Sequence, residues 1–325
     1  MDKRTRVLNA MNKKEVDHVP VGFWFHFAGE EAKGDACVKA HLKYYRETGL
    51  DFVKIMCDSY FPYPLPDCEK ASDLKDIEPL KKDHPFIKEQ VERAEAIVKE
   101  IGSERCVFYN VFCPFSSFRF GLEAQGKSNA DIMKMVKDDP ISTMKALDAI
   151  AVSNTLLSEL LIKEAGVDGI YYCVQSGEAD RFTKEEYKKI VRPSDLYVLE
   201  HINRYSENNI IHMCGWSGNS NQLDLWQDYD AKVINWAVHV EGLSLNDGRY
   251  FFGGKTCLGG FETHWDGKIQ QGIMYTGTKE EVQKYTRDLI LDHGKNGLMI
   301  GGDCTIDAKI DWERIRWIVE AARSL

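Results

Sequence analysis

Three side chains define the chemistry this sequence is equipped to do. His212 and Cys214 stand two positions apart in the segment IIHMCG, and Cys304 follows much later in GGDCTI. On an extended strand, side chains at i and i+2 point to the same side, so His212 and Cys214 can converge on one ion. An imidazole with two thiolates is a donor set of intermediate softness that suits Zn²⁺. Three protein ligands leave a fourth position open, the pattern of a catalytic zinc site. The competing expectation is plain packing, since free cysteines are often buried and a core histidine is satisfied by hydrogen bonds. A third thiol at a matching strand end favours the metal site.

Residues so far apart in the chain need a scaffold that gathers strand ends. Apolar runs predict strands over Val21–Phe27, Asp51–Cys57, Cys106–Phe112, Asp168–Val174, Asn209–Cys214, Lys232–Trp236, Lys255–Gly259 and Gly297–Gly302. Helical periodicity predicts helices over Pro85–Ile101, Pro140–Ala165, Thr183–Tyr205, Thr278–His293 and Asp311–Leu325. Thr183 with Glu186, and Thr278 with Glu281, have capping-box spacing. Strands alternating with helices predict an α/β fold with a parallel sheet. At 325 residues the economical form is a (β/α)8 TIM barrel, here a single domain over 1–325. A doubly wound sheet would place a glycine-rich phosphate turn after its first strand; the chain reads AGEEAKG there instead. Barrel enzymes work at the C-terminal ends of their strands, which is where His212, Cys214 and Cys304 fall.

Composition removes several other classes. Hydrophobic residues make up 43% and charged residues 29%, which excludes disorder as a description of the whole chain. The net charge of −9 gives no basic footprint, so no nucleic-acid partner is expected. No apolar run reaches the roughly 20 residues a membrane-spanning helix needs. The first twenty residues lack the apolar core of a secretory signal. Nine cysteines without an export signal predict a cytoplasmic protein with free thiols or metal ligands. Cys37, Cys57, Cys68, Cys106, Cys113, Cys173 and Cys257 show no CxxC spacing and read as packing residues or free thiols. An oligomer is compatible with all of this.

Further candidates lie at the same strand ends. Trp24 and His26 alternate on the first strand and should both face inward, Trp24 as a substrate contact and His26 as a substrate contact or proton donor. Asp58 follows the second strand beside Tyr60, Phe61 and Tyr63 and reads as a catalytic or ligand-orienting carboxylate. Tyr109 and Asn110 on the third strand are candidates to line a pocket, as is Ser176 after the fourth. Glu178 is a candidate base or ligand-orienting group, with a surface carboxylate as the ordinary expectation. His239, just past the sixth strand, is weighed as a fourth metal ligand. The stretch GGFETHWDGKIQQGIMYTGTKEE lacks a phosphate-loop pattern and reads as a mobile loop shaping the pocket.

RVLNAMNKKEVDHVPVGFW, DFVKIMCDSYFPYP, HMCG and the late GGDCTI together resemble the uroporphyrinogen decarboxylase superfamily over essentially the whole chain. The resemblance implies a β/α barrel. Within the superfamily, HMCG with a late cysteine is similar to the zinc motif of the cobamide-dependent methyltransferases of the methylcobamide:coenzyme M type. It implies zinc held by His212, Cys214 and Cys304, and a corrinoid (cobamide) supplied by a partner protein. The implied reaction moves a methyl group between that corrinoid and a small thiol or a methylated substrate, in either direction. The related enzymes place an acidic ligand near the sixth strand, where this chain reads INWAVH. The alternative is decarboxylation of the uroporphyrinogen type. Asp58 matches that group's aspartate position and Ser176 a substrate-contacting serine. The arginine-bearing stretch of the decarboxylases, however, reads GFWFHFAGEEAKGD here, and GGDC stands where their late histidine would be.

Overall fold

Eight parallel strands form one sheet that curls into a nearly closed barrel, with helices alternating around it. The computed structural model describes residues 1–215, 218–263 and 271–325. The strands are β1 (Val21–Gly22), β2 (Phe52–Ile55), β3 (Cys106–Phe112), β4 (Gly169–Val174), β5 (Ile210–Met213), β6 (Val233–Trp236), β7 (Thr256–Phe261) and β8 (Leu298–Gly302). The sheet runs in the order β1-β8-β7-β6-β5-β4-β3-β2. Asp51 stitches the seam between β1 and β2. Its N–H donates to Val21 O at 2.8 Å, and its Oδ2 accepts from Val21 N–H at 2.9 Å. The expected (β/α)8 barrel is therefore the observed fold.

Strands buried on both faces read as continuous apolar runs, and β4, GIYYCV, is buried throughout. Alternation then assigns each side chain. Trp24, Phe52, Phe108, Tyr171, Leu258 and Met299 fill the barrel interior. Val53, Ile55, Tyr109 and Tyr172 face the surrounding helices. Fully burying one such side chain contributes about 1.5–3 kcal/mol. Gly22 is required where β1 meets this interior, because a Cβ there would lie 2.1 Å from the Phe52 ring.

Two predicted elements differ from the structure. The first strand was expected over Val21–Phe27, but its ladder covers Val21–Gly22. Val21 and Gly22 face Ile300 and Gly301, and β8 has one residue left before the chain turns at Asp303. The alternation still persists, with Phe23, Phe25 and Phe27 outward and Trp24 inward. The helix expected over Thr183–Tyr205 is two helices, Lys184–Ile190 and Arg192–Asn203. Pro193 lacks the N–H needed to continue the first one and sits in the opening turn of the second. The Thr183–Glu186 and Thr278–Glu281 capping boxes are both formed.

The N-terminal end of the barrel is closed by the helix Lys3–Met11, which sends Val7, Ala10 and Met11 into the interior. Arg6 there pairs with Asp51 at 2.9 Å and with Asp17 at 2.7 Å, and Arg4 pairs with Asp168. Among the described residues no helix is long and apolar enough to cross a membrane.

Candidate metal centre

β5 and β8 deliver the three candidate ligands to the opposite, C-terminal end. His212 lies on β5, facing Cys173 of β4 and Asn235 of β6. Cys214 follows one residue beyond β5, and Cys304 two residues beyond β8. Cys214 N–H still donates to Val174 O at 3.2 Å, and Cys304 N–H to Thr263 Oγ1 at 2.8 Å. Asn221 Nδ2 donates to Cys214 O at 3.2 Å and is held in turn by Glu241. Gly215 lets this segment close down, since a Cβ there would meet the Ala237 methyl at 2.5 Å.

The donor atoms of His212, Cys214 and Cys304 all lie within 4.8 Å of one another. The two sulfurs are 3.7 Å apart, and Cys304 Sγ is 3.5 Å from His212 Nε2. Tetrahedral zinc with its usual bond lengths sets two sulfurs about 3.8 Å apart and a sulfur and nitrogen about 3.6 Å apart. Asn235 prepares the imidazole for such a role. Its Nδ2 donates to Leu258 O at 2.9 Å and Gly302 O at 3.1 Å, which fixes its Oδ1 as an acceptor. Oδ1 accepts from Tyr171 OH at 2.8 Å and from His212 Nδ1. The imidazole proton is thereby held on Nδ1, and the Nε2 lone pair faces the sulfurs, as metal-ligating histidines require. The residues fit a zinc ion.

The thiols divide electrostatically. The Cys214 hydrogen bond holds Cys304 well below the ordinary thiol range, and the His212 hydrogen bond and the charge of Lys54 help, against burial that pushes it up. Burial pushes Cys57 up to about 11 and Cys173 up to about 12. Those two thiols are instead tied to Asn110, with Cys173 Sγ donating to Oδ1 at 2.9 Å and Nδ2 donating to Cys57 Sγ at 3.4 Å. Cys113 contacts Ser116 at 3.1 Å, outside the trio.

A cavity of about 690 Å³ opens onto the three ligands. His26, Asp58, Asn110 and Gln175 are on its wall. His26 Nδ1 donates to Asp58 Oδ1 at 2.6 Å, and Asp58 Oδ2 accepts from Phe27 N–H at 2.9 Å. Phe61, Phe112 and Phe120 form an aromatic cluster on one side, with ring centroids 4.4–5.4 Å apart.

Other candidates are turned elsewhere. Trp24 lies inside the barrel against Tyr171, below the cavity lining. Tyr109 faces the helices, where its hydroxyl meets Arg93 and Gln90. It neighbours Asn110 on β3, so only one of the two can face inward. Ser176 has a positive φ of 69° and a buried hydroxyl without a hydrogen-bond partner among the described residues, and it is not on the cavity wall. That turn carries Glu178 to a pairing with Arg181 at 3.1 Å, off the cavity wall. His239 uses Nδ1 on Asp303 at 2.7 Å, with Tyr285 OH 3.3 Å from Nε2, so both ring nitrogens are engaged away from the trio. Burial lowers the His239 pKa, but the Asp303 hydrogen bond and charge more than offset this and leave it raised. The segment expected to form a mobile pocket loop includes residues 264–270, which lie outside the described residues.

Sequence reasoning missed two residues of the site. Asn235 looked like part of an apolar run. Lys54, within the predicted second strand, was not singled out by the sequence, yet it is 2% exposed and reaches the cavity from the barrel interior.

A parallel β/α barrel with a three-donor, zinc-compatible cluster at its C-terminal mouth is the class that fold and site define. The family model for uroporphyrinogen decarboxylase (URO-D) matches residues 47–325, and the chain belongs to that family. A solved methyltransferase from Methanosarcina mazei is similar at 15% identity and TM-score 0.71, covering 100% of this chain and 98% of its own. A B12-independent methionine synthase from Shewanella sp. W3-18-1, in complex with selenomethionine, is similar at 14% identity and TM-score 0.57, covering 94% of this chain and 95% of its own. These likenesses speak for the fold. No curated protein matches the chain.

Proposed function

We propose that this protein is a zinc-dependent methyltransferase moving a methyl group between a corrinoid (cobamide) on a partner protein and a small thiol or methylated substrate. The observation that carries this reading is the donor geometry: sulfurs 3.7 Å apart, with an imidazole nitrogen 3.5 Å from one of them and its tautomer preset. Family membership and the fold likeness to a methyltransferase support methyl transfer as the reaction class. Zinc, when bound, would keep a thiol deprotonated at neutral pH.

The chain's own residues supply the setting. His212, Cys214 and Cys304 would hold the ion at the wall of the cavity. Two thiolate ligands make it a weaker Lewis acid, which favours the thiol as acceptor over activation of a methyl ether. Asp58 fixes His26 with Nδ1 protonated, leaving Nε2 to give or take a proton at the rim. Asn110 and Gln175 line the cavity beside the trio, and Phe61, Phe112 and Phe120 give that side an apolar, aromatic wall. The chain acts as one barrel domain over 1–325 in the reducing cytoplasm.

Decarboxylation of a polycarboxylate is the second reading, since the family carries its name. Buried carboxylates need several converging cations. Among the described residues Lys54 and Lys309 line the cavity, and no arginine does.

Elemental analysis of the protein as isolated, joined to transfer from methylcobalamin to a thiol, tests the proposal. We expect about one equivalent of zinc, as a three-ligand site binds, and loss of both zinc and transfer in Cys214→Ala. Zinc below about half an equivalent with unchanged transfer in that variant would reject it.

A further inference from the structure

Lys54 is a buried cation that the three-ligand centre leaves unexplained. Its Nζ lies 3.7 Å from the Tyr171 ring centroid and 4.6 Å from the Trp24 ring. Burial pushes the Lys54 pKa down, and the groups that hold it up are the surrounding thiols of Cys173, Cys304, Cys57 and Cys214, not a carboxylate. Of the carboxylates on the same cavity wall, Asp58 is already engaged by His26 and Phe27 N–H, and Asp307 accepts from Lys309 N–H at 2.8 Å. An ammonium in so apolar a place is costly unless an anion balances it. Packing alone would be served by a methionine of similar length.

A charge count shows what is missing. A dication, two thiolates and a neutral imidazole sum to zero. Lys54 then adds one uncompensated positive charge in a low-dielectric interior. One further anion at the open position restores balance, whereas a neutral donor does not. We propose that Lys54 selects an anionic fourth ligand for the His212–Cys214–Cys304 centre, so that a sulfur ligand is held there as thiolate. The inference rests on the metal-site reading and deepens it: the occupant is an anionic thiolate, and Lys54 is a positioning residue acting through charge. Tyr171 links both parts. Its ring faces Lys54, and its hydroxyl bonds the Asn235 oxygen that holds His212.

The test uses the full chain loaded with Co²⁺, whose visible spectrum reports its ligands. Wild type and Lys54→Met are titrated with 2-mercaptoethanol, 3-mercaptopropionate and imidazole. We expect Lys54→Met to weaken both thiols by about tenfold to a hundredfold, with imidazole and Co²⁺ content unchanged. Equal thiol affinity in the two proteins would overturn the inference while leaving the metal site standing. Loss confined to 3-mercaptopropionate would also overturn it, since Lys54 would then hold an acid tail. Failure of wild type to bind Co²⁺ would instead sink the metal-site reading beneath it. Lys54→Gln, with circular dichroism, serves if the methionine variant misfolds. If neither variant folds, azide against imidazole on wild type decides, and a preference for imidazole overturns the inference.

Discussion

The two ends of the barrel are both rich in polar groups, and they use them in opposite ways. At the N-terminal end Arg6 faces Asp17 and Asp51, Arg4 faces Asp168, and Asp51 also ties β1 to β2. Every one of those charges has a fixed partner, so the cluster holds the plug and the seam. At the C-terminal end His212, Cys214 and Cys304 point at one another and at a cavity. Their donor atoms lie within 4.8 Å of one another, a spacing that would suit an ion between them. Polar groups closed on one another hold a fold, whereas groups converging on a shared space are available for chemistry.

Removing one group from each end should separate these roles. Cys304→Ala should give the largest effect, with zinc binding and methyl transfer falling to background while the unfolding midpoint of the zinc-free protein moves little. Asp51→Ala should do the reverse. Leaving Arg6 without its most buried partner should destabilise the fold by about 3–5 kcal/mol, read by urea denaturation, with zinc per folded molecule unchanged. If Asp51→Ala also empties the metal site, the two ends are coupled and the division fails.

How much of this was legible in the sequence depends on what each residue needed for its assignment. The ligand trio needed only residue type and position at a strand end, and those survive errors of a residue or two in strand limits. Asn110 and Tyr109 needed the facing of one strand, and two adjacent residues cannot share it. Lys54 was hidden because a lysine in FVKIM reads as a solvent face, and only barrel closure turns that face inward. Asn235 was hidden because its role comes from register: it faces His212 across the β5–β6 ladder. Glu178 needed the course of the chain after β4, where the backbone at Ser176 is left-handed.

A third polar cluster sharpens the contrast. Asp195 is fully buried behind the barrel, where it accepts from Tyr187 OH at 2.9 Å and Tyr229 OH at 3.0 Å, with Tyr172 OH at 3.5 Å. It is hydrogen-bonded like the N-terminal charges, but tyrosines and not cations surround it. Burial pushes its pKa up from 3.8 to about 7, against the tyrosine hydrogen bonds that lower it. Between these values the folded protein holds a proton that the unfolded chain releases. Its contribution to stability is fully present below about pH 4 and is lost as pH rises through about 7. Asp195→Asn should remove that slope, a difference of a few kcal/mol between pH 4 and 7 at most. Parallel stability–pH curves for the two proteins would mean that this carboxyl does not titrate differently on folding.

Asn235 is where the logic of the two ends meets. Like the N-terminal charges it is fully engaged, donating to Leu258 O and Gly302 O and accepting from Tyr171 and His212. Unlike them, it serves the open cluster by choosing which imidazole nitrogen is free. Asn235→Ala should weaken zinc by about 10–100-fold, the usual effect of losing a ligand-orienting partner, measured by competition with a chromophoric chelator. Stability should fall too, because two buried carbonyls lose their donor. The decisive comparison is with Tyr171→Phe, which removes one bond to Asn235 and leaves its amide anchored at both carbonyls. If Asn235 acts by fixing the tautomer, Tyr171→Phe should leave zinc affinity nearly unchanged. Equal loss in both variants would mean that the network supports the barrel as a whole and the imidazole orients itself.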